Sequence, residues 1–246
     1  MEILKSRLLS DFRHGFTTRR GGSSRGPFEG MNLGGAVGDD PGRVEANWAE
    51  LVATTGLAFA RVRQVHGCRV LRARGPTPSP VEEGDAVLSV ERGLAACVSV
   101  ADCVPVLLAD PRSGAVAAAH AGWRGTLERV AGRAVEELVR QCEARPGDIL
   151  AAIGPSIGPC CYEVAADLAE RFRAEFGPSS ANPQKGQPRL DLWLANELAL
   201  RAAGLSPRHV EVLSRCTACE PETFFSHRRD AGRTGRQVGF IAPFLD

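Results

Sequence analysis

The stretch Asp102-Cys103-Val104-Pro105-Val106-Leu107-Leu108-Ala109-Asp110-Pro111-Arg112-Ser113-Gly114-Ala115-Val116-Ala117-Ala118-Ala119-His120-Ala121-Gly122 decides how the rest of the chain is read. Val104 to Ala109 is a nearly unbroken apolar run, the mark of a strand covered on both faces. Asp110-Pro111-Arg112-Ser113-Gly114 is a turn: Asp bonds nearby backbone, Pro presets φ, and Gly tolerates positive φ. Ala115 to Ala119 returns as a second buried strand. The hairpin carries the Cys103 thiol and the His120 imidazole to the same end.

Working outward, Ala86 to Val90 and Leu94 to Val100 are further strands, and His14 to Arg19 is a strand closed by the loop Gly21-Gly22-Ser23-Ser24. Asp40-Pro41 opens a helix that Gly56 ends. Arg61 to Val65 and Arg69 to Ala73 are expected as strands flanking His66-Gly67, with an exposed loop over Gly75 to Pro80. From Thr126 to Cys142 apolar residues recur at helical spacing, and Asp148 to Gly154 resumes a strand. Glu163 to Phe176 and Asp191 to Ala203 are expected as helices, joined by a loop over Gly177 to Pro188 that is a candidate lid. Strands near Val210 to Leu213 and Gln237 to Ile241 finish the chain. Runs of strands alternating with helices predict an α+β fold, a single-domain layered α/β sandwich with mixed sheets, over residues 1–246. Neither a dinucleotide fingerprint nor a phosphate-binding P-loop is present.

The chain has 246 residues and a net charge of +1 with scattered Lys and Arg, so it carries no electrostatic footprint for nucleic acid or an anionic membrane. The apolar stretch Leu94 to Leu108 is interrupted by Asp102 and Pro105, unlike a membrane span, and the polar start Met1 to Arg7 does not build a signal-peptide core. A cytoplasmic protein acting on a small substrate is expected. The eight cysteines then read as core thiols, ligands or nucleophiles before disulfides. Cys68, Cys97 and Cys142 lie in apolar-patterned segments and are expected in the core.

His66, in Gln64-Val65-His66-Gly67, sits at a loop edge where a side chain can enter a cleft. With Cys103 and His120 it makes a two-His, one-Cys set, the complement of a catalytic zinc with an open fourth position. Such a metal activates water near neutral pH. Asp102, with Asp85 as second choice, is a carboxylate able to shuttle protons or orient a ligating imidazole. Small residues after His120 let backbone approach a ligand, and Arg124 lies beside them.

The segments Thr18-Arg19-Arg20-Gly21-Gly22, Asn32-Leu33-Gly34, Gln64-Val65-His66-Gly67, Ala101-Asp102-Cys103-Val104-Pro105-Val106, Ala118 to Gly125, Ile153-Gly154-Pro155-Ser156-Ile157-Gly158 and Phe224-Phe225-Ser226-His227-Arg228-Arg229-Asp230 span nearly the whole chain. In this order they resemble the YfiH-type purine nucleoside phosphorylase family, also labelled a laccase-domain or polyphenol oxidase family. The resemblance implies a YfiH-like fold, similar to a toxin deamidase domain, and zinc on His66, Cys103 and His120. It also implies phosphorolysis of adenosine, inosine, guanosine and methylthioadenosine to base and pentose 1-phosphate, and deamination of adenosine. The partners are then purine nucleosides and phosphate. Among the matching segments Arg19, Asn32, Gln64, Arg124 and Arg228 are read as substrate contacts, with Arg229 a further guanidinium suited to phosphate. Gly158 to Glu163 is expected to line the pocket, but adjacent Cys160 and Cys161 are not counted as ligands, and Cys216-Thr217-Ala218-Cys219 without a partner pair is weak metal evidence.

Three other readings stay open. Cys103 with His120 as its base would suit a cysteine hydrolase or deamidase. Copper at the same site would suit slow phenol oxidation, although five histidines and no His-x-His pair do not build a multicopper centre. A closed zinc in a non-catalytic module is a third.

Overall fold

The computed structural model describes residues 1–184 and 186–244. In chain order its elements are β1 (Ile3–Leu4), β2 (Arg13–Thr17), α1 (Pro41–Thr55), β3 (Ala58–Ala60), β4 (Val70–Arg72), β5 (Ala86–Ser89), β6 (Leu94–Val100), β7 (Val104–Ala109), β8 (Val116–Ala121), α2 (Trp123–Leu127), α3 (Val130–Cys142), β9 (Leu150–Ile153), α4 (Ala166–Phe176), β10 (Ala181–Gln184), β11 (Gln187–Leu190), α5 (Leu192–Ala202), β12 (Val210–Val212) and β13 (Gln237–Ala242). The strands form a five-stranded sheet, β1-β2-β13-β6-β3, a six-stranded sheet, β12-β9-β7-β8-β5-β4, and the ribbon β10-β11. Both large sheets mix parallel and antiparallel pairs. The fold is α+β.

The apolar runs are explained by the layering. On β6, Ala95 and Cys97 pack with Leu51 of α1, whereas Ala96 and Val98 face Leu107 and Ala118 of the six-stranded sheet. On β7, Val106 and Leu108 turn the other way, toward Val135 and Leu138 of α3 and Leu200 of α5. The order is therefore α1, five-stranded sheet, six-stranded sheet, remaining helices. Each central strand is covered on both faces, which removes the alternation that a half-exposed strand would show. Among the described residues no helix is long and apolar enough to cross a membrane.

Local chemistry sets the ends of α1 as its sequence predicts: the Asp40 side chain accepts from the Arg43 N–H at 3.0 Å, Pro41 opens the helix, and Gly56 closes it at φ 62°.

Three local expectations change. Arg61 to Val65 makes no strand beyond an isolated bridge between Arg63 and Glu83, because the next N–H, that of Val65, goes to the Asp85 carboxylate. The helix expected over 126–142 is two helices, broken where Arg129 enters the left-handed region at φ 58°; α2 is tied to α5 by Asn196 Nδ2 donating to Thr126 Oγ1 at 3.1 Å. The stretch Gly177 to Pro188, read as a lid loop, contains the antiparallel ribbon β10-β11, and residue 185 within it lies outside the described residues. Pro183 and Pro188 are register partners in that ribbon, and the Pro188 carbonyl points out of it to accept the Val164 N–H at 3.0 Å.

Candidate metal centre and active site

Cys103 stands where the chain crosses between sheets, directly after Asp102, whose φ of 86° makes the corner between β6 and β7. Opposite, His120 lies on β8 in register with Pro105. The third group comes from outside the sheets: His66 sits in the loop before β4, itself at φ 62°. Left-handed backbone at a non-glycine residue is costly and persists only where surrounding bonds impose it.

Those bonds come from Asp85. Fully buried just before β5, it accepts from the N–H groups of Val65 (3.2 Å), His66 (2.9 Å) and Gly67 (2.8 Å), and from His120 Nδ1 at 2.8 Å. The strand register dictates this meeting, since β5 pairs with β8 through Ala86 and Ala119, and Asp85 and His120 are the next pair outward. One carboxylate therefore shapes the His66 loop and fixes the ring of His120, leaving Nε2 of His120 to meet Cys103.

The ligand atoms of His66, Cys103 and His120 lie within 4.8 Å of one another. Gly122 keeps the space beside them open: a Cβ there would stand 2.9 Å from His66 Nδ1 and 3.0 Å from Cys103 Sγ. Two imidazoles and a thiol, one imidazole held by a buried carboxylate, fit a zinc ion that retains an open position, and they fit copper by the same donor chemistry. Desolvation alone would push the Cys103 thiol up, but His120 and His66 outweigh it and bring it down to about 6. Burial likewise opposes the charge on His120, yet Cys103 and Asp85 hold it up at about 9.

Asp102 is placed differently from Asp85. Its oxygens accept from Thr217 Oγ1 at 2.6 Å and from the Arg228 N–H at 2.7 Å, so it gathers two distant loops around Cys103. The amide of Gln64 pairs with both backbone groups of Ser99, each at 2.8 Å. Asn32 is buried, its Oδ1 accepting from the N–H groups of Gly34 and Arg236 and its Nδ2 donating to Asp39 at 2.8 Å. The guanidinium of Arg19 stacks on Phe225 and donates to the carbonyls of Glu29 and Pro221, lining a cleft of about 470 Å³ with Arg20 and Arg25. Arg124 is exposed over Trp123. Arg228 lies over the Tyr162 ring and donates to the Glu163 carbonyl, and Arg229 is occupied by Asp230, Thr217 and Phe224.

Arg236 carried no assignment from the sequence, and Tyr162 only that of the stretch expected to line the pocket. Tyr162 is pushed up to about 12 by burial and by the charge of Cys103, with Arg228 opposing. Arg236 is lowered by desolvation, against the charges of Cys103 and Asp102. Of the core-expected cysteines, Cys97 is buried and pushed up to about 12 by desolvation, while Cys68 and Cys142 are partly buried against the helical face of the core.

The profile of the family described as multi-copper polyphenol oxidoreductase laccase matches residues 13–243. The chain is 44% identical over 231 residues to the purine nucleoside phosphorylase of Deinococcus radiodurans, covering 93% of this chain and 88% of that one. The chain belongs to the YfiH-type, laccase-like family. Another relative, the purine nucleoside phosphorylase YlmD of Geobacillus stearothermophilus, is 40% identical over 242 residues, covering 92% of this chain and 88% of that one. In the crystal structure of YlmD from the same organism this YfiH-type fold superposes with a TM-score of 0.91 at 37% identity, over 98% of this chain and 94% of that one. The YfiH structure of Bacillus licheniformis gives 0.88 at 33% identity, over 94% and 92%.

Proposed function

We propose that this chain is a zinc-dependent purine nucleoside phosphorylase of the YfiH type, acting in the cytoplasm as a single catalytic domain over residues 1–246. Adenosine, inosine, guanosine and methylthioadenosine are its substrates with phosphate, and adenosine is also deaminated to inosine and ammonia. The observation that carries this reading is the convergence of His66, Cys103 and His120 around the space left by Gly122, with Asp85 fixing His120. Relatives named purine nucleoside phosphorylase, matched over most of their length, supply the substrate class.

In this reading His66, Cys103 and His120 hold the metal, which supplies Lewis acidity and an activated water when bound. Asp85 keeps His120 in the tautomer that presents Nε2 and sets the His66 loop. Asp102 positions rather than reacts, holding Thr217 and Arg228 beside Cys103. Phosphorolysis breaks the bond between the sugar anomeric carbon and the purine nitrogen and forms a carbon–oxygen bond to phosphate. A dianionic nucleophile at that carbon needs cationic partners, and Arg228 and Arg236 are the guanidinium groups set around Cys103 and Tyr162. Tyr162 offers a wall for a base or ribose. Asn32 and Gln64 act through backbone, on Arg236 and on the approach to His66. Arg19 and Arg124 are outer contacts.

Incubation with adenosine and phosphate, followed by chromatography, is expected to yield adenine and ribose 1-phosphate together with inosine and hypoxanthine. Substitution of His120 or Cys103 by Ala removes these products; unchanged products would remove the site from the reaction.

A second reading rests on the Cys103 and His120 pairing itself, since a thiol brought down to about 6 beside an imidazole held at about 9 suits a nucleophilic cysteine hydrolase. Chelation separates the two, abolishing a metal enzyme and sparing a thiol one. Phenol oxidation with copper at this site is tested by loading the same protein with copper.

A further inference from the structure

Cys160 and Cys161 are far in sequence from Cys216 and Cys219, yet their sulfurs meet. Cys161 Sγ is 3.3 Å and Cys160 Sγ 3.5 Å from Cys219 Sγ, and all four Sγ atoms lie within 4.8 Å of one another. A tetrahedral zinc with Zn–S bonds of about 2.3 Å holds its sulfurs about 3.8 Å apart, inside this spread.

The backbone prepares this gathering. β9 and β12 run parallel, and the pairing continues past them as a bridge between Ser156 and Cys216, so both chains leave the sheet at the same end. Each then turns. The Cys161 N–H donates to the Gly158 carbonyl at 3.0 Å, bringing two adjacent thiols round to one side. The Cys219 N–H donates to the Cys216 carbonyl at 3.2 Å, the tight turn of a Cys-x-x-Cys pair. The Gly158 N–H donates to Cys216 Sγ at 3.3 Å, the kind of bond that stabilises a bound thiolate. Arg189, ion-paired with Glu163, donates to the Cys160 carbonyl, and Arg228 donates to the Glu163 carbonyl, so positive charge stands by a group that four thiolates would leave negative.

We infer that Cys160, Cys161, Cys216 and Cys219 form a second, closed zinc site that is structural, distinct from the centre at His66, Cys103 and His120. Four soft sulfur donors select zinc over hard cations and leave no position for substrate. Its place in the fold gives it work. Thr217, inside the Cys216 to Cys219 turn, donates to Asp102 beside Cys103, and Tyr162 follows Cys161 directly. Zinc here clamps the two loops that wall the first centre.

The test is zinc stoichiometry of the full chain, purified under mild reductant, loaded with zinc and freed of excess by gel filtration. Wild type is expected to hold two equivalents. The double variant Cys216→Ser, Cys219→Ser holds one, and Cys103→Ser also holds one. A cobalt-loaded sample is expected to show thiolate charge-transfer bands that survive Cys103→Ser and vanish in the double variant. Should the double variant fail to fold, X-ray absorption at the zinc edge of wild type replaces it, with about 2.5 sulfurs per zinc for two centres against about one for a single centre. One equivalent in wild type that Cys103→Ser removes would overturn the inference, as would a disulfide within the cluster that leaves no zinc bound. If only the first centre is misread, wild type holds one equivalent that survives Cys103→Ser and is lost in the double variant.

Discussion

The Asp85 carboxylate joins His120 Nδ1 at 2.8 Å while the same group accepts the backbone N–H groups of the His66 loop. One buried anion thus sets both imidazoles of the centre. Two histidines 54 positions apart answer to a single side chain.

Asp85→Asn is expected to weaken zinc binding about 10- to 100-fold, because both carboxylate oxygens accept backbone N–H groups, so an amide must set its N–H₂ against at least one of these donors, and it loses the charge that orients His120. Asp85→Ala leaves buried N–H groups without an acceptor and costs about 3 kcal/mol of stability. Competition with a chelating dye measures the first, denaturant unfolding the second.

Gly122→Ala separates occupancy from folding. Its φ of −71° accepts alanine, so destabilisation is limited to about 1 kcal/mol from the helix start, whereas the new methyl enters the space between His66 and Cys103. Zinc content and phosphorolysis are expected to fall together, while the thermal midpoints of the metal-free variant and metal-free wild type differ little; full zinc content in this variant would refute the placement of the ion.

The ionisation of the pair has a definite sign. In the metal-free protein the stabilisation from His120, raised to about 9, is complete below its ordinary value near 6.5 and is lost as pH rises through about 9. That from Cys103, lowered from 9.0 to about 6, is complete above 9 and is lost as pH falls through about 6. Between these limits the two slopes oppose, so their combined contribution is nearly level. Zinc binding between about pH 6 and 9 must displace the His120 proton, and below about 6 the Cys103 proton as well. Calorimetry in buffers of different ionisation enthalpy is expected to count one more released proton on the acid side.

Arg228→Ala and Arg236→Met are expected to raise the KM for phosphate about 10-fold or more each, the worth of a charge-assisted bond, with less effect on nucleoside KM. Arg124→Ala, on an exposed side chain, is expected to change it less.

Alkylation gives a check that does not depend on turnover. Cys103 is expected to react readily in chelated protein and slowly with zinc, while Cys97, with its thiol pushed up to about 12 by burial, stays unmodified in both, as read by peptide mass mapping.

The central hairpin was legible because its signals are local: two apolar runs around an Asp-Pro-containing turn predict β7 and β8, and the Asp40-Pro41 start and Gly56 stop predict α1. The strand expected at Arg61 to Val65 failed because its last N–H is captured by a side chain rather than a neighbouring strand. Asp102 drew attention by adjacency to Cys103, yet Asp85 is the group on His120. That contact follows from the pairing of β5 with β8, and no spacing along the chain encodes it.

Read alone, the residues determine which groups can serve as soft ligands and which strands are buried on both faces, since donor chemistry and hydrophobic patterning belong to each residue and its neighbours. Tertiary structure decides which carboxylate orients an imidazole, which amides turn inward to backbone, and that two separate cysteine pairs share one corner. Those outcomes depend on register and strand order, set by burial of whole sheets against one another, and they become visible only when the layers close.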